Sequence, residues 1–384
     1  MNSAENMISN LNCGRYDNIT LANERDCTGC GACMSSCGVH AIEMREDPGK
    51  HFLYPVIDKE KCGGCGTCRS ICPVIHYTEG RRKVSKVYAA NNQSICVREK
   101  SASGGLFGAF AMYVLSQGGA VVGVKYVGNT RCEHLLITEP EQIDDLFGTK
   151  YFQSDIRKAF IQMKEFSKKS SEMIMFCGTP CQVEAAKRYA GMNGFYERLF
   201  TLELLCRGVP PYFLQAKYIE HLEKKNHGRI TSYRMKEKSN GWHNIGIIAE
   251  LEDGRVIYEK GLESAFGKAF MASNYAIRDS CFECKFKSYM RHGDIVIGDF
   301  WGYRNSHLID DKGTSAVMIL SELGRKMFDE VSKNLDYTRS TEWRVYKGNK
   351  PAFETVTCDG EKRELFWKLL NTEMDLEEIV SLIE

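Results

Sequence analysis

The sequence predicts an α/β protein with α+β elements, made of a small cysteine-rich N-terminal module and a larger α/β domain. Three observations carry this. Residues 27–72 hold one cysteine spacing twice. Residues 173–205 read as strand, turn, helix, strand, a βαβ unit whose two strands should be parallel. Segments from 229 to 260 alternate apolar and polar residues like antiparallel strands. The charged, apolar-poor stretch GRRKVSK marks the expected boundary, giving domains at 1–80 and 81–384.

The chain has 384 residues, enough for a large core and more than one domain. Its net charge of +1 gives no electrostatic argument for nucleic acid or an anionic membrane. No apolar run approaches the roughly 20 residues of a spanning helix. The first residues lack the basic and apolar regions of a signal peptide. A soluble, cytoplasmic protein with no nucleic-acid partner and no membrane span is expected.

In the first module, Cys27, Cys30, Cys33 and Cys37 are matched by Cys62, Cys65, Cys68 and Cys72. Each run is Cys-x-x-Cys-x-x-Cys-x-x-x-Cys. Three close thiolates wrap three corners of an iron–sulfur cube, and the fourth reaches the other cube. The spacing thus assigns one [4Fe–4S] cluster to Cys27, Cys30, Cys33 and Cys72. The second falls to Cys62, Cys65, Cys68 and Cys37. Zinc sites space their cysteines differently, and such thiolates need a reducing compartment. Pro73 follows the last cysteine, whereas Gly38 stands after Cys37. The stretch resembles a two-cluster bacterial ferredoxin. HFLYPVID, between the runs, should form a short strand beside the clusters.

Residues 1–20 read as an irregular lead-in, with Cys13 a free thiol. VYAANN (87–92) reads as a strand, and 100–119 as a loop, a helix and a glycine stop. AVVGVKYV (120–127) reads as a buried strand. At the helix start, Ser101, Ser103, Gly104 and Gly105 offer hydroxyl and N–H groups to an anion such as a dinucleotide phosphate. An ordinary serine cap on a core helix explains the same residues. GTKYFQSD (148–155) leads into a helix over IRKAFIQMKEFSKK.

In the βαβ unit the strands fall at 173–177 and 199–205, with the helix at 181–190. Cys181 opens that helix and Cys206 follows the second strand, so both meet the carboxyl edge of the sheet, where open α/β sheets bind ligands. Cys281 and Cys284 form a Cys-x-x-Cys pair just before the strand DIVIGDFWG, whose end presents Asp299 and Trp301. The four cysteines can meet there around a third centre. A cluster, zinc, and unrelated buried cysteines all remain open on spacing alone. Cys177 is read as core, and Cys96, Cys132 and Cys358 as isolated cysteines of the kind usually buried. From about 303 the chain reads as a loop with DDKGTS, a strand (SAVMIL) and two helices, the last amphipathic. His243, His292 and His307 are the histidine candidates for acid–base work.

SASGG, GTKYFQS, GTPCQ, CRGVP, the CFEC pair, IGDFWG and DDKGTS occur in this order over roughly residues 85–330. On these pieces the chain resembles the coenzyme F420 hydrogenase/dehydrogenase beta-subunit family, in a bacterial form with a fused two-cluster ferredoxin. The resemblance implies FAD and a further [4Fe–4S] cluster, the latter on Cys181, Cys206, Cys281 and Cys284. It implies flavin contacts at Ser101, Ser103, Gly104 and Gly105, with Thr149, Lys150, Gln153, Thr179 and Gln182 as further cofactor-binding candidates. The implied activity is an iron–sulfur, flavin-dependent oxidoreductase. Electrons would come from a donor such as reduced ferredoxin and reach an unknown organic acceptor or a deazaflavin coenzyme. The alternative is an electron-transfer subunit for a separate enzyme, with cell-surface polysaccharide synthesis as one setting. A homo-oligomer is compatible with either.

Overall fold

The computed structural model describes residues 19–80, 83–304 and 306–384. Cys13 and nearly all of the N-terminal lead-in lie outside the described residues.

In the N-terminal module, β1 (Ile42–Glu46) pairs antiparallel with β2 (Leu53–Ile57). Each cysteine run passes through two left-handed glycines, Gly29 and Gly31 in the first and Gly64 and Gly66 in the second, with φ between 66° and 72°. Glycine reaches that region without strain. The matched conformations let both runs fold back into a short helix, Ala32–Ser35 and Thr67–Ser70.

The body is built on strands β3 (Lys86–Asn92), β4 (Ala120–Val127), β5 (Arg131–Ile137), β6 (Ile174–Gly178) and β7 (Leu199–Leu204), with β11 (Ile295–Asp299), β12 (Ser315–Ile319) and β13 (Leu335–Arg339). They form one eight-stranded mixed sheet in the order β13-β3-β12-β11-β7-β6-β4-β5. The central strands β11, β7, β6 and β4 are mutually parallel, as the βαβ reading expects. A separate antiparallel sheet holds β8 (Ile230–Glu237), β9 (Gly246–Leu251) and β10 (Val256–Lys260).

Both faces of the large sheet are covered at its centre, so β6, β7 and β12 are buried along nearly their whole length. Along β6, Met175 and Cys177 pack with the helix Leu106–Ser116, while Ile174 and Phe176 pack with the helices Arg157–Lys169 and Pro180–Met192. The second of these layers also takes in Cys30, Ala32 and Ile71 of the cysteine module. Cys27, Phe52 and Tyr54 join the core around the smaller sheet and the helix Tyr212–Asn226. The two parts therefore share cores, although a charged linker separates them in sequence.

Four differences from the sequence expectations stand out. The segment after β12 forms four helices rather than two (Glu322–Val331, Glu342–Gly348, Gly360–Leu370, Leu376–Ile383), with β13 between the first two. β13 pairs with β3 and closes one side of the sheet. The strand β5 and the helices Ile95–Lys100 and Tyr212–Asn226 were not anticipated. Cys96 is exposed rather than buried, because it lies on the outer side of the helix Ile95–Lys100; Cys132 is buried and Cys358 half-buried. Among the described residues, no helix is long and apolar enough to cross a membrane.

Candidate metal centres at the carboxyl edge of the sheet

The cysteine module folds its two runs across each other. The Cys30 and Cys33 thiols each feel Cys27 and Cys72, and Cys68 feels Cys65, Cys37 and Cys62. The sets that meet are thus Cys27/Cys30/Cys33/Cys72 and Cys37/Cys62/Cys65/Cys68, the crossed sets that the spacing predicts. Cys27, Cys30, Cys33 and Cys72 line one pocket, with Pro55, Pro73 and Val74. Burial is the main force raising the Cys30 thiol to about 12. Cys65, by contrast, is exposed, and hydrogen bonding to Thr67 lowers its thiol. The first set faces the body and the second faces outward.

A third set assembles from three distant segments. Cys181 opens the helix after β6, Cys206 follows β7, and ahead of β11 Cys281 lies in the short helix Asp279–Phe282 with Cys284 just after it. β6 and β7 are parallel, so their carboxyl ends deliver Cys181 and Cys206 to the same edge, and the segment ahead of β11 returns to that edge to place Cys281 against Gly208. Cys181 feels Cys284, Cys206 and Cys281. Burial raises all four thiols, Cys206 to about 11 and Cys281 to about 12. Two buried cations counter this. Lys287 and Arg291 both favour the thiolates of Cys206 and Cys284. The Lys287 ammonium also donates to the carbonyls of Arg207 and Cys281, fastening two cysteine-bearing segments together. Among the described residues, no three Cys, His, Asp or Glu side chains converge on the position of a single ion.

The other predicted cofactor residues divide into separate groups. Ser101 to Gly105 lie against β3 and β12. The Ser101 hydroxyl donates to Val97 O and the Ser103 hydroxyl to Thr314 O. The Gly104 N–H is taken by Ser315 Oγ, so it is not open to a ligand. No side chain caps the helix Leu106–Ser116, and its first-turn N–H groups are the donors left for an anion. Lys150 is near this helix start: its ammonium donates to Phe147 O at 2.6 Å, and Phe147 packs against Phe107. Burial lowers Lys150 to about 8. Thr149 bridges to Met235 on β8.

Gln153, Thr179 and Gln182 are engaged elsewhere. Gln153 donates to Thr28 O and accepts from Arg278, so it faces the cysteine module. Thr179 and Gln182 form a capping box at the helix Pro180–Met192. Gln182 donates to Ser154, which bonds to His134, which in turn bonds to Cys177 O. These three residues hold the cysteine-bearing segments rather than the turn at Ser101–Gly105.

Sequence reasoning missed several residues at the edge. Lys236 ends β8 with φ of 56° and forms a buried ion pair with Asp299. Trp242 stacks on Trp301 with ring centres 4.5 Å apart. Lys238 donates to the carbonyls of Arg98, Ser103 and Lys312. Together these residues form one group next to the serine–glycine turn. The histidine candidates do not join it. His292 is buried against Glu184, His307 bonds to Thr338, and His243 is exposed beside Trp242.

Residues 171–341 match the family described as the C terminus of the coenzyme F420 hydrogenase/dehydrogenase beta subunit, and residues 26–75 match the 4Fe–4S dicluster domain. No curated protein matches the chain. Among solved structures, it is similar to a chain of the F420-reducing [NiFe] hydrogenase complex from Methanosarcina barkeri, at 15% identity and a TM-score of 0.46 over 71% of this chain and 90% of that one. The chain thus carries a dicluster domain for two [4Fe–4S] clusters ahead of a region similar to the C terminus of that beta subunit.

Proposed function

We propose that the protein is an iron–sulfur flavoprotein oxidoreductase. The carrying observation is the assembly of Cys181, Cys206, Cys281 and Cys284 at one sheet edge, inside the region matched to the family. Four half-buried cysteines with two cations beside them suit a [4Fe–4S] cluster, whose charge needs such compensation. In the dicluster module the ligands are the two crossed sets.

FAD would lie against the turn at Ser101, Ser103 and Gly105, its phosphates on the N–H groups that open the helix Leu106–Ser116, with Lys150 and Thr149 beside it. Lys236, Asp299 and Trp301, which contact one another, would stand on its far side. A flavin exchanges one electron with a cluster and two with a hydride acceptor, so it belongs between the third centre and an organic substrate. Lys150 and Lys238 supply positive charge for phosphate, while the buried surroundings keep water from the reacting ring. The donor is a one-electron protein such as reduced ferredoxin, and the acceptor is an organic molecule, including a deazaflavin coenzyme.

Anaerobic reconstitution followed by iron, sulfide and flavin assay tests this reading. About twelve iron and twelve sulfide per chain are expected for three cubes, together with FAD released on denaturation. About eight of each, with zinc present, rejects the third cluster. A second reading draws on the family's description as a beta subunit: the chain would relay electrons to a partner that performs the chemistry. Reoxidation of the reduced flavin only by a co-purifying protein, and by no small molecule, would favour it.

A further inference from the structure

Arg278 is fully buried, and its guanidinium spends its donors on both parts of the molecule. Nε donates to Cys27 O at 2.8 Å and Nη2 to Leu53 O at 2.8 Å, both in the cysteine module. Nη1 donates to Gln153 at 2.9 Å. The guanidinium carbon lies 4.4 Å from the centre of the Tyr54 ring. The main chain of the same residue faces the third cysteine set. Its N–H donates to Val209 O, and its carbonyl accepts from Cys281 N–H at 2.9 Å. One side chain and two hydrogen bonds therefore join Cys27 to Cys281.

We infer that Arg278 is the electronic link between the Cys27/Cys30/Cys33/Cys72 centre and the Cys181/Cys206/Cys281/Cys284 centre, which makes the Cys37/Cys62/Cys65/Cys68 centre the entry point for the donor. The inference rests on the proposed function, because both centres must hold clusters. Electron tunnelling weakens steeply across empty gaps and much less along covalent and hydrogen bonds. The route through Arg278 contains no gap wider than a hydrogen bond. Its rival runs from Cys72 along the chain to Tyr77, whose hydroxyl donates to Lys285 O at 2.7 Å beside Cys284. That route also holds two hydrogen bonds, the first from His76 N–H to Cys72 O at 3.2 Å, but it strings more covalent bonds between them, the whole Tyr77 side chain included. Exposure gives the direction: Cys27 and Cys30 are buried against the body, and Cys65 is open to a donor. In each transfer a one-electron ferredoxin-type donor is oxidised, the entry centre is reduced, and the electron moves inward to the third centre. No proton moves with it.

The test uses the full-length chain, reconstituted anaerobically and mixed with reduced ferredoxin. Freeze-quench electron paramagnetic resonance follows reduction of the dicluster signals and of the third centre separately. Arg278→Met keeps the aliphatic stem and removes every donor. It should leave dicluster reduction fast and slow that of the third centre by an order of magnitude or more. Lys50→Met removes a different tie between the two parts, the Lys50–Asp279 ion pair, without touching the route. Tyr77→Phe cuts the rival route. Both should keep the parent rate. Parent-like transfer in Arg278→Met overturns the inference. So does equal slowing in Lys50→Met, which would reduce Arg278 to a docking residue, or selective slowing in Tyr77→Phe. A parent protein with no third-centre signal overturns the proposed function and the inference with it.

Discussion

Gly104 illustrates how a single atom can confuse a functional test. A Cβ there would lie 2.5 Å from Ala90 O and 2.8 Å from the Ser315 nitrogen, both rigid backbone. Gly104→Ala should therefore cost about 1–3 kcal/mol, the usual range for overpacking, and lower the melting temperature with or without flavin. Thermal unfolding of the flavin-free variant checks this. Flavin loss on its own would not show that the turn holds phosphate. His134 makes a second residue-scale case. It is fully buried, and burial lowers its imidazole from 6.5 to about 4. The unfolded chain protonates first, so this contribution to stability is whole above pH 6.5 and is lost as pH falls toward 4. His134→Gln should flatten that part of the curve in denaturant titrations at stepped pH. The grouping of the dicluster cysteines was legible because each x-x gap is itself a ligand geometry, and the meeting of Cys181 with Cys206 because β6 and β7 are parallel. Arg278 was not legible. It is a lone arginine in NYAIRDSC, and its meaning depends on which carbonyls the fold brings to it.

At the scale of elements, the strands and the βαβ unit were readable because apolar runs bounded by turn residues are strong local signals. The C-terminal helices were miscounted for a physical reason. Glu342–Gly348 has seven residues and one fully buried side chain, so it shows little periodicity. Its start is written instead in the Thr341 cap, as Asp359 and Asp375 write the next two. The linker reading also had a limit. A charged stretch separates modules in sequence, yet Phe52 and Tyr54 belong to the core of the body. A fragment of residues 19–80 should accordingly expose the face around Cys27 and Cys30. Its Cys27/Cys30/Cys33/Cys72 cluster should bleach in air faster than in the full chain, while the outward cluster should decay at a similar rate in both. Absorbance and spin-resonance decay, compared between fragment and full chain, measure this.

At the scale of the whole molecule, the three cysteine sets share no side chain. Replacing Cys281 and Cys284 by serine should remove hard thiolate anchors from one centre alone. Iron should fall from about twelve to about eight per chain, with the dicluster signals retained. Flavin should stay bound, since the turn at Ser101–Gly105 is tied to β3 and β12 rather than to the cysteine loop. Its reduction by a ferredoxin-level donor should become slow in stopped-flow absorbance at the flavin band.

The spread of the third cysteine set along the chain also has a consequence in time. A ribosome releases the N-terminus first. By residue 72 every cysteine of the dicluster module has been made, and its clusters can be inserted while synthesis continues. The remaining set is incomplete until Cys284 emerges, and β11, which aligns with β7 beside Cys206, follows it. Cluster insertion there must wait until about three quarters of the chain exists and the parallel strands have found their register. Starving a cell of iron late in synthesis should thus yield molecules that are mature at one end and empty at the other.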